Sequence, residues 1–162
     1  MKKIITLALA GAMLTATGIT AFAVDFPGGS QDTEIKTTVA PTFTVSIPAD
    51  TTVAFNALTT DFGSVTLDSA RLAPNKAVQV TINSDGDLNN SVDNTAVIPY
   101  SLTATDDTAE KEVGAEYSAT FKNAGEKFDL KINIAQADWD AAAAGDYSDI
   151  VNFTIAYVDA AE

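Results

Sequence analysis

Apolar and polar residues alternate with a period of two along most of this chain. The longest alternation closes it: Tyr147, Val151, Phe153, Ile155 and Tyr157 fall on one face, and Ser148, Ile150, Asn152, Thr154 and Ala156 on the other. Successive side chains of a strand point to opposite faces, so this pattern predicts a half-buried antiparallel strand. Earlier runs repeat it. Thr33, Ile35, Thr37 and Val39 share a face before Pro41 resets the pattern, and Phe43, Val45 and Ile47 follow, ended by Pro48-Ala49-Asp50. Val53 with Phe55 makes a short strand, and Val65 with Leu67 another. Then come Val78-Val80-Ile82, Ile98 to Ala104, Tyr117-Ala119-Phe121 and Phe128 to Ile134. The polar stretches 83–94 and 106–116 read as loops, and the Ala-rich segment Gln136 to Ala144 around Trp139 predicts one or two helical turns stopped by Gly145. Seven or eight short strands at regular spacing predict an all-β fold, an immunoglobulin-like antiparallel β-sandwich of seven to eight strands, as one domain over 33–158.

The first residues depart from this pattern. Lys2 and Lys3 precede an apolar run from Ile4 to Ala16, too short to cross a bilayer, and Ala21-Phe22-Ala23 supplies small residues for signal-peptidase cleavage before Val24. Residues 1–23 therefore read as a signal peptide and 24–32, with Pro27-Gly28-Gly29-Ser30, as a flexible leader. The expected product is secreted and extracellular, with no membrane segment after cleavage. The end of the chain carries no sorting motif, so association with a cell surface would run through a partner.

Composition narrows the chemistry. Losing Lys2 and Lys3 takes the formal net charge from −13 to −15, and the remaining basic residues are scattered, which argues against nucleic acid or an anionic membrane as partner. There is no cysteine, which for an exported domain suits the outside of a Gram-positive cell. There is no histidine, so Ser-His-Asp and Cys-His nucleophile systems and imidazole or thiolate zinc sites are excluded.

Several landmarks carry a family resemblance: Thr42-Phe43-Thr44-Val45, Phe62-Gly63, Asn83-Ser84-Asp85-Gly86, Tyr100-Ser101-Leu102 and, most specifically, Ala144-Gly145-Asp146-Tyr147-Ser148-Asp149 with the strand that follows to residue 157. In this order they resemble the spore coat protein U family of secreted, fimbria-type domains. The resemblance implies the sandwich and a surface or fimbrial role. That family usually carries cysteines and assembles with a chaperone in Gram-negative cells, so no chaperone partner is carried over. Camelysin-like biofilm-fibre proteins are similar in general plan, without a shared motif.

Four constellations offer chemistry. Asp85, Asp87, Asn89 and Asp93 place oxygen ligands at alternating positions and form a calcium candidate. The EF-hand pattern fails there, with Asn90 at the glycine position and Ala96 at the bidentate glutamate position, and Asp/Asn/Gly loops are also ordinary turn material. The pairs Asp106-Asp107 and Asp138-Asp140 lie in surface-type stretches without an apolar pocket, so no enzyme is expected. Trp139, Tyr100, Tyr117, Tyr147 and Tyr157 are either a sugar platform or core, and most fall on the apolar parity of their strands. Tyr147 beside its Gly turn suggests a tyrosine corner bonded to backbone, and Trp139 a lid over one end of the core. Last, the segment 33–39 beyond the leader is either an ordinary first strand or a strand donated to a neighbour, with Ile35, Thr37 and Val39 on the inserted face. The reading reached is a non-catalytic structural or adhesive protein of fimbria or fibre type, its partner itself or another surface protein. The alternative is a monomeric module binding a glycan or a protein.

Overall fold

The computed structural model describes residues 3–7, 34–106, 109–114 and 116–160, with backbone alone for the first of these segments. The predicted signal-peptide cleavage site, the leader 24–32, Thr33 and Asp107 lie outside the described residues. The strands are β1 (Lys3–Leu7), β2 (Thr42–Ile47), β3 (Thr59–Arg71), β4 (Lys76–Asn83), β5 (Asp87–Asn90), β6 (Val97–Pro99), β7 (Ser101–Thr105), β8 (Glu110–Val113), β9 (Glu116–Phe121), β10 (Lys127–Asn133), β11 (Tyr147–Ser148) and β12 (Asn152–Asp159), with one short helix, α1 (Gln136–Ala141). The protein is an all-β sandwich. One layer is a six-stranded sheet in the order β1-β2-β3-β10-β7-β8; the other is built from β12-β4-β9, with β11-β5-β6 as a smaller third sheet. Every strand pairing is antiparallel.

Aromatic pairs tie the layers together. Phe43 of β2 stacks on Tyr157 of β12 at 6.0 Å, Phe62 of β3 meets Phe153 of β12 at 6.3 Å, and Phe128 of β10 lies between Tyr117 and Phe121 of β9 at 5.7 and 5.8 Å. The predicted alternations of the central strands hold: Val78, Val80 and Ile82 are fully buried, as are Val45, Val65 and Leu67, with Phe128, Leu130 and Leu102 within 2% of it.

Two bulges in β3 decide what faces the core. Against β10 the register jumps between Leu130 and Lys131, leaving Phe62 as an extra residue beside Gly63, whose φ is +122°. A bulge switches the parity of a strand. Phe62 and Val65 therefore both point inward although they are three residues apart. A Cβ at Gly63 would come within 3.3 Å of the Pro48 ring in a backbone conformation that side chains rarely adopt, so glycine is required where β3 crosses the end of β2. A second bulge opposite β2 leaves Asp68 unpaired, and its carboxylate accepts a hydrogen bond from the Ser46 hydroxyl.

Several expectations differ from the structure. The Val53–Phe55 strand does not form: the Ala57 amide donates to the Ala54 carbonyl at 3.0 Å and Asn56 takes a φ of +63°, making a turn that leaves Phe55 76% exposed. The run from Ile98 to Ala104 is cut at Tyr100, whose amide bonds the Gly86 carbonyl, so β6 and β7 belong to different sheets. The closing alternation is cut at 149–151 into β11 and β12, though Tyr147, Val151, Phe153, Ile155 and Tyr157 do all pack on the core. Both predicted loops contain a strand, β5 in one and β8 in the other. Cuts and additions together make the strands more numerous than the seven or eight expected. Residues 34–41 form no strand.

Candidate functional site

The sandwich is not evenly closed. β12 ends its sheet among the described residues, and the β2 strand facing it lies near the edge of the other layer, with only β1 beyond. The inward residues of β12 are accordingly half-buried, where those of β4 are fully buried. At the end of this seam a cleft of about 910 Å³ opens between Ile47-Pro48 on one side and Val151-Phe153 on the other, with Phe62 and Trp139 among its apolar walls. Phe55 and Ile150, 76% and 77% exposed, also line it. Phe55 meets Trp139 edge-on at 5.6 Å, while Trp139 is 8% exposed and its indole N–H donates to the Ala57 carbonyl at 3.0 Å. Trp139 thus covers one end of the core, as the sequence suggests.

A polar network fixes the 145–150 rim. The Tyr100 hydroxyl donates to the Asp149 carboxylate and lies 2.7 Å from the Ser84 hydroxyl. Burial, reinforced by the bond to Asp149, pushes the Tyr100 phenol far above its ordinary value, so it stays a neutral donor. The Tyr147 hydroxyl donates to the Ala143 carbonyl at 2.9 Å, the predicted bond from tyrosine to upstream backbone. Beneath the rim, the Asn90 side chain is 4% exposed, and its oxygen accepts from the amides of Val92 (2.9 Å) and Asp93 (3.1 Å). Gly145 packs directly on that amide group.

The calcium candidates sit in this loop, and the side chains of Asp85, Asn89 and Asp93 are engaged in turns. The Asp93 carboxylate accepts from both the amide and the hydroxyl of Thr95, which holds it below the usual carboxylate range. The Asn89 amide donates to the Asp87 carbonyl, and Asp85 accepts from the Asp87 amide at 3.4 Å. Among the described residues no three acidic groups converge as a metal site would require. Asp140 is bonded by the Gln136 side chain on α1. Of the aromatic candidates, Tyr157 stacks on Phe43 and accepts from the Ala73 amide, and Tyr117 packs on Phe128, so these rings belong to the core. The cleft residues Pro48, Phe55 and Phe62 were not legible as a site, although the Phe62-Gly63 bulge that aims Phe62 was a visible landmark.

The strand-exchange candidates lie elsewhere. Ile35 is 94% and Val39 65% exposed, Thr37 is also exposed, and Glu34 pairs with Lys36 at 2.8 Å in solvent. The segment is exposed ahead of Pro41 and joins no sheet. Beside it, the outer edge of β2 is occupied by β1, in the register Lys3↔Ile47, Ile5↔Val45, Leu7↔Phe43. No helix among the described residues is long and apolar enough to cross a membrane.

No family model and no curated protein matches the chain, so the resemblance to the spore coat protein U family gains no support from them. Among solved structures, a chain of a chaperone–tip adhesin complex of CFA/I fimbriae biogenesis is similar at a TM-score of 0.42 and 12% identity, over 70% of this chain and 40% of that one. That likeness is too low to bear on function, and this chain spans well under two thirds of its neighbour.

Proposed function

We propose that this protein is a non-catalytic, extracellular structural or adhesive subunit of fimbria or fibre type, which assembles by donating residues 33–39 as a strand to a neighbouring copy. The observation that carries the reading is the exposure of Ile35 and Val39 in a segment with strand alternation that joins no sheet of its own domain. Isolated exposed apolar residues are common on protein surfaces. Two of them at alternating positions of one exposed segment, beside a half-closed sandwich, match strand addition: main-chain bonds supply affinity and alternate side chains supply specificity. In the ordinary-first-strand alternative these residues would instead pack on their own core once that edge is free.

Comparing residues 24–162 with 41–162 by light scattering and negative-stain microscopy tests the reading. Fibres or ladders from the longer form alone are the expected result. Two stable monomers would overturn it. The cleft favours the second reading, a monomeric module for a glycan or peptide, because it joins apolar walls to the polar groups of Thr51, Asp146 and Ser148. Glycan or peptide binding by a monomer that quenches or shifts the emission of Trp139, the chain's single tryptophan, would establish that reading instead.

A further inference from the structure

We infer that the outer edge of β2 is the surface that receives the strand of a second copy, and that Lys3–Leu7 of the same chain occupies this edge until the signal peptide is removed. The inference rests on the strand-exchange reading above and names its acceptor and its control.

Four observations lead to it. First, the β2 edge accepts an added strand, because β1 pairs with it over the whole of Thr42–Ile47 except its first residue. An edge strand left bare presents a row of unpaired backbone groups that template pairing with another chain. Cleavage before Val24 would remove β1 and bare that edge. The core cluster lies wholly between Phe43 and Tyr157, so losing residues 1–23 leaves it intact.

Second, the same chain is poorly placed to refill the edge from residues 34–39 through a tight turn. Only Ala40 and Pro41 separate Val39 from Thr42. A two-residue hairpin loop needs a type I′ or II′ turn. Type I′ wants positive φ at both central residues, and type II′ wants glycine at the first. Proline at the second position rules out the former, and alanine at the first opposes the latter. The three-residue loop Ala40-Pro41-Thr42, which would set Val39 opposite Phe43, puts proline at the second position of a type I turn and the β-branched Thr42 in the left-handed region, both disfavoured. A neighbouring copy faces no such restriction.

Third, the donor segment fits where β1 lies. Placing Ile35 opposite Ile47 puts Thr37 opposite Val45 and Val39 opposite Phe43, the three register positions held by Lys3, Ile5 and Leu7. Both segments span about 20 Å at roughly 3.3 Å per residue, so acceptor and donor match in length. The outward positions become Lys36 and Thr38.

Fourth, charge favours this pairing within a processed chain whose formal net charge falls from −13 to −15 once Lys2 and Lys3 are removed. β2 contains no charged residue, and the donor's Glu34 and Lys36 cancel through their ion pair. Two copies therefore meet through segments without net charge. The remaining like-charge repulsion is screened by salt, so assembly quickens with ionic strength.

The test uses the absence of native cysteine. Single variants Thr38→Cys and Thr44→Cys of residues 24–162 are mixed, oxidised and mapped by mass spectrometry. A bond between positions 38 and 44 can then form only between copies. The expected result is a dominant 38–44 linkage in the processed chain, and at least a tenfold loss of it when the same variants carry the uncleaved residues 1–23. A parallel mixture of Thr38→Cys with Thr154→Cys examines the free edge of β12. Assembly with linkage to Thr154→Cys would overturn the β2 assignment while leaving strand exchange standing. Equal 38–44 linkage with and without residues 1–23 would overturn the capping role. Processed chains that stay monomeric and unlinked would overturn both this inference and the exchange reading.

Discussion

Gly145 is where the most specific block of the sequence becomes a physical constraint. Its φ is +154°, and a Cβ there would stand 2.4 Å from the Asn90 side-chain nitrogen and 3.2 Å from its Cγ. Alanine must therefore adopt a conformation that costs about 1–3 kcal/mol, and must displace a buried amide. Asn90 cannot swing away freely, because its oxygen caps the amides of Val92 and Asp93 and each such bond contributes about 1 kcal/mol. Gly145→Ala should destabilise the domain by about 3 kcal/mol, a large share of the 5–15 kcal/mol typical of a domain, and lower Tm by roughly 10 °C. Gly114→Ala is the control, because a Cβ there meets nothing within 4 Å, and it should change stability by less than about 0.5 kcal/mol. Denaturant and thermal unfolding followed by circular dichroism measure both. Asn90→Ala, alone and combined with Gly145→Ala, completes a cycle: removing the amide relieves the clash, so the double variant should cost less than the sum of the singles. Gly145→Ala indistinguishable from Gly114→Ala, or strictly additive with Asn90→Ala, would refute the reasoning.

Tyr100→Phe removes the donor to Asp149 and should cost about 1–2 kcal/mol by denaturant unfolding. Because the folded phenol sits above its ordinary value, its contribution is complete below the usual tyrosine range and is lost as pH rises through the folded value; the variant should lack that alkaline step, read by ultraviolet titration. At the acid end, the Ser64 hydroxyl donating at 2.5 Å, opposed by some burial and helped by Lys127, holds the Asp129 carboxyl below its usual range. That contribution is present above the ordinary aspartate range and lost as pH falls through the folded value. Ser64→Ala should therefore raise the Asp129 titration seen by NMR and weaken the acid dependence of unfolding. Phe55→Ala, which removes an exposed ring set edge-on to Trp139, should cost no more than about 1 kcal/mol while shifting tryptophan emission. Calcium at millimolar concentration should leave Tm unchanged, given the turn bonds of Asp93 and Asn89; a rise of several degrees would restore the loop as a calcium site.

The alternations were legible in the central strands β4 and β10. β4 lies between β12 and β9, and β10 between β3 and β7, each without a bulge in its own run, so hydrophobic period and burial coincide at Val78, Val80, Ile82, Phe128, Leu130 and Ile132. Legibility failed where backbone geometry outweighs pattern. Val53 and Phe55 have strand spacing, yet the Asn56 turn takes them out of any sheet. The β3 bulges let Phe62 and Val65 both face inward, against any reading by strict period. The chain's Asp and Asn residues carry no mark that separates a ligand from a turn cap. Only the bonds from Thr95 to Asp93 make that distinction.

Residues 34–39 illustrate a different limit. Their alternation states that they can be a strand but not whose sheet they join, because the pattern of a donated strand equals that of a retained one. What separates the two is the connection. Ala40-Pro41 denies the tight hairpin that would fold the segment back onto β2, and β2 begins one residue later with its outer edge taken by residues 3–7. On the strand-exchange proposal, this segment, with Ile35 almost wholly in solvent, gains free energy by burying its apolar positions against another chain. Replacing the three residues Ala40-Pro41-Thr42 with Asn-Gly supplies a two-residue turn that sets Val39 opposite Phe43 and Ile35 opposite Ile47. Residues 34–39 of the processed chain should then close onto their own β2 as a hairpin, giving a monomer with Ile35 protected. Continued assembly of that variant would show that the turn is not what directs the strand outward.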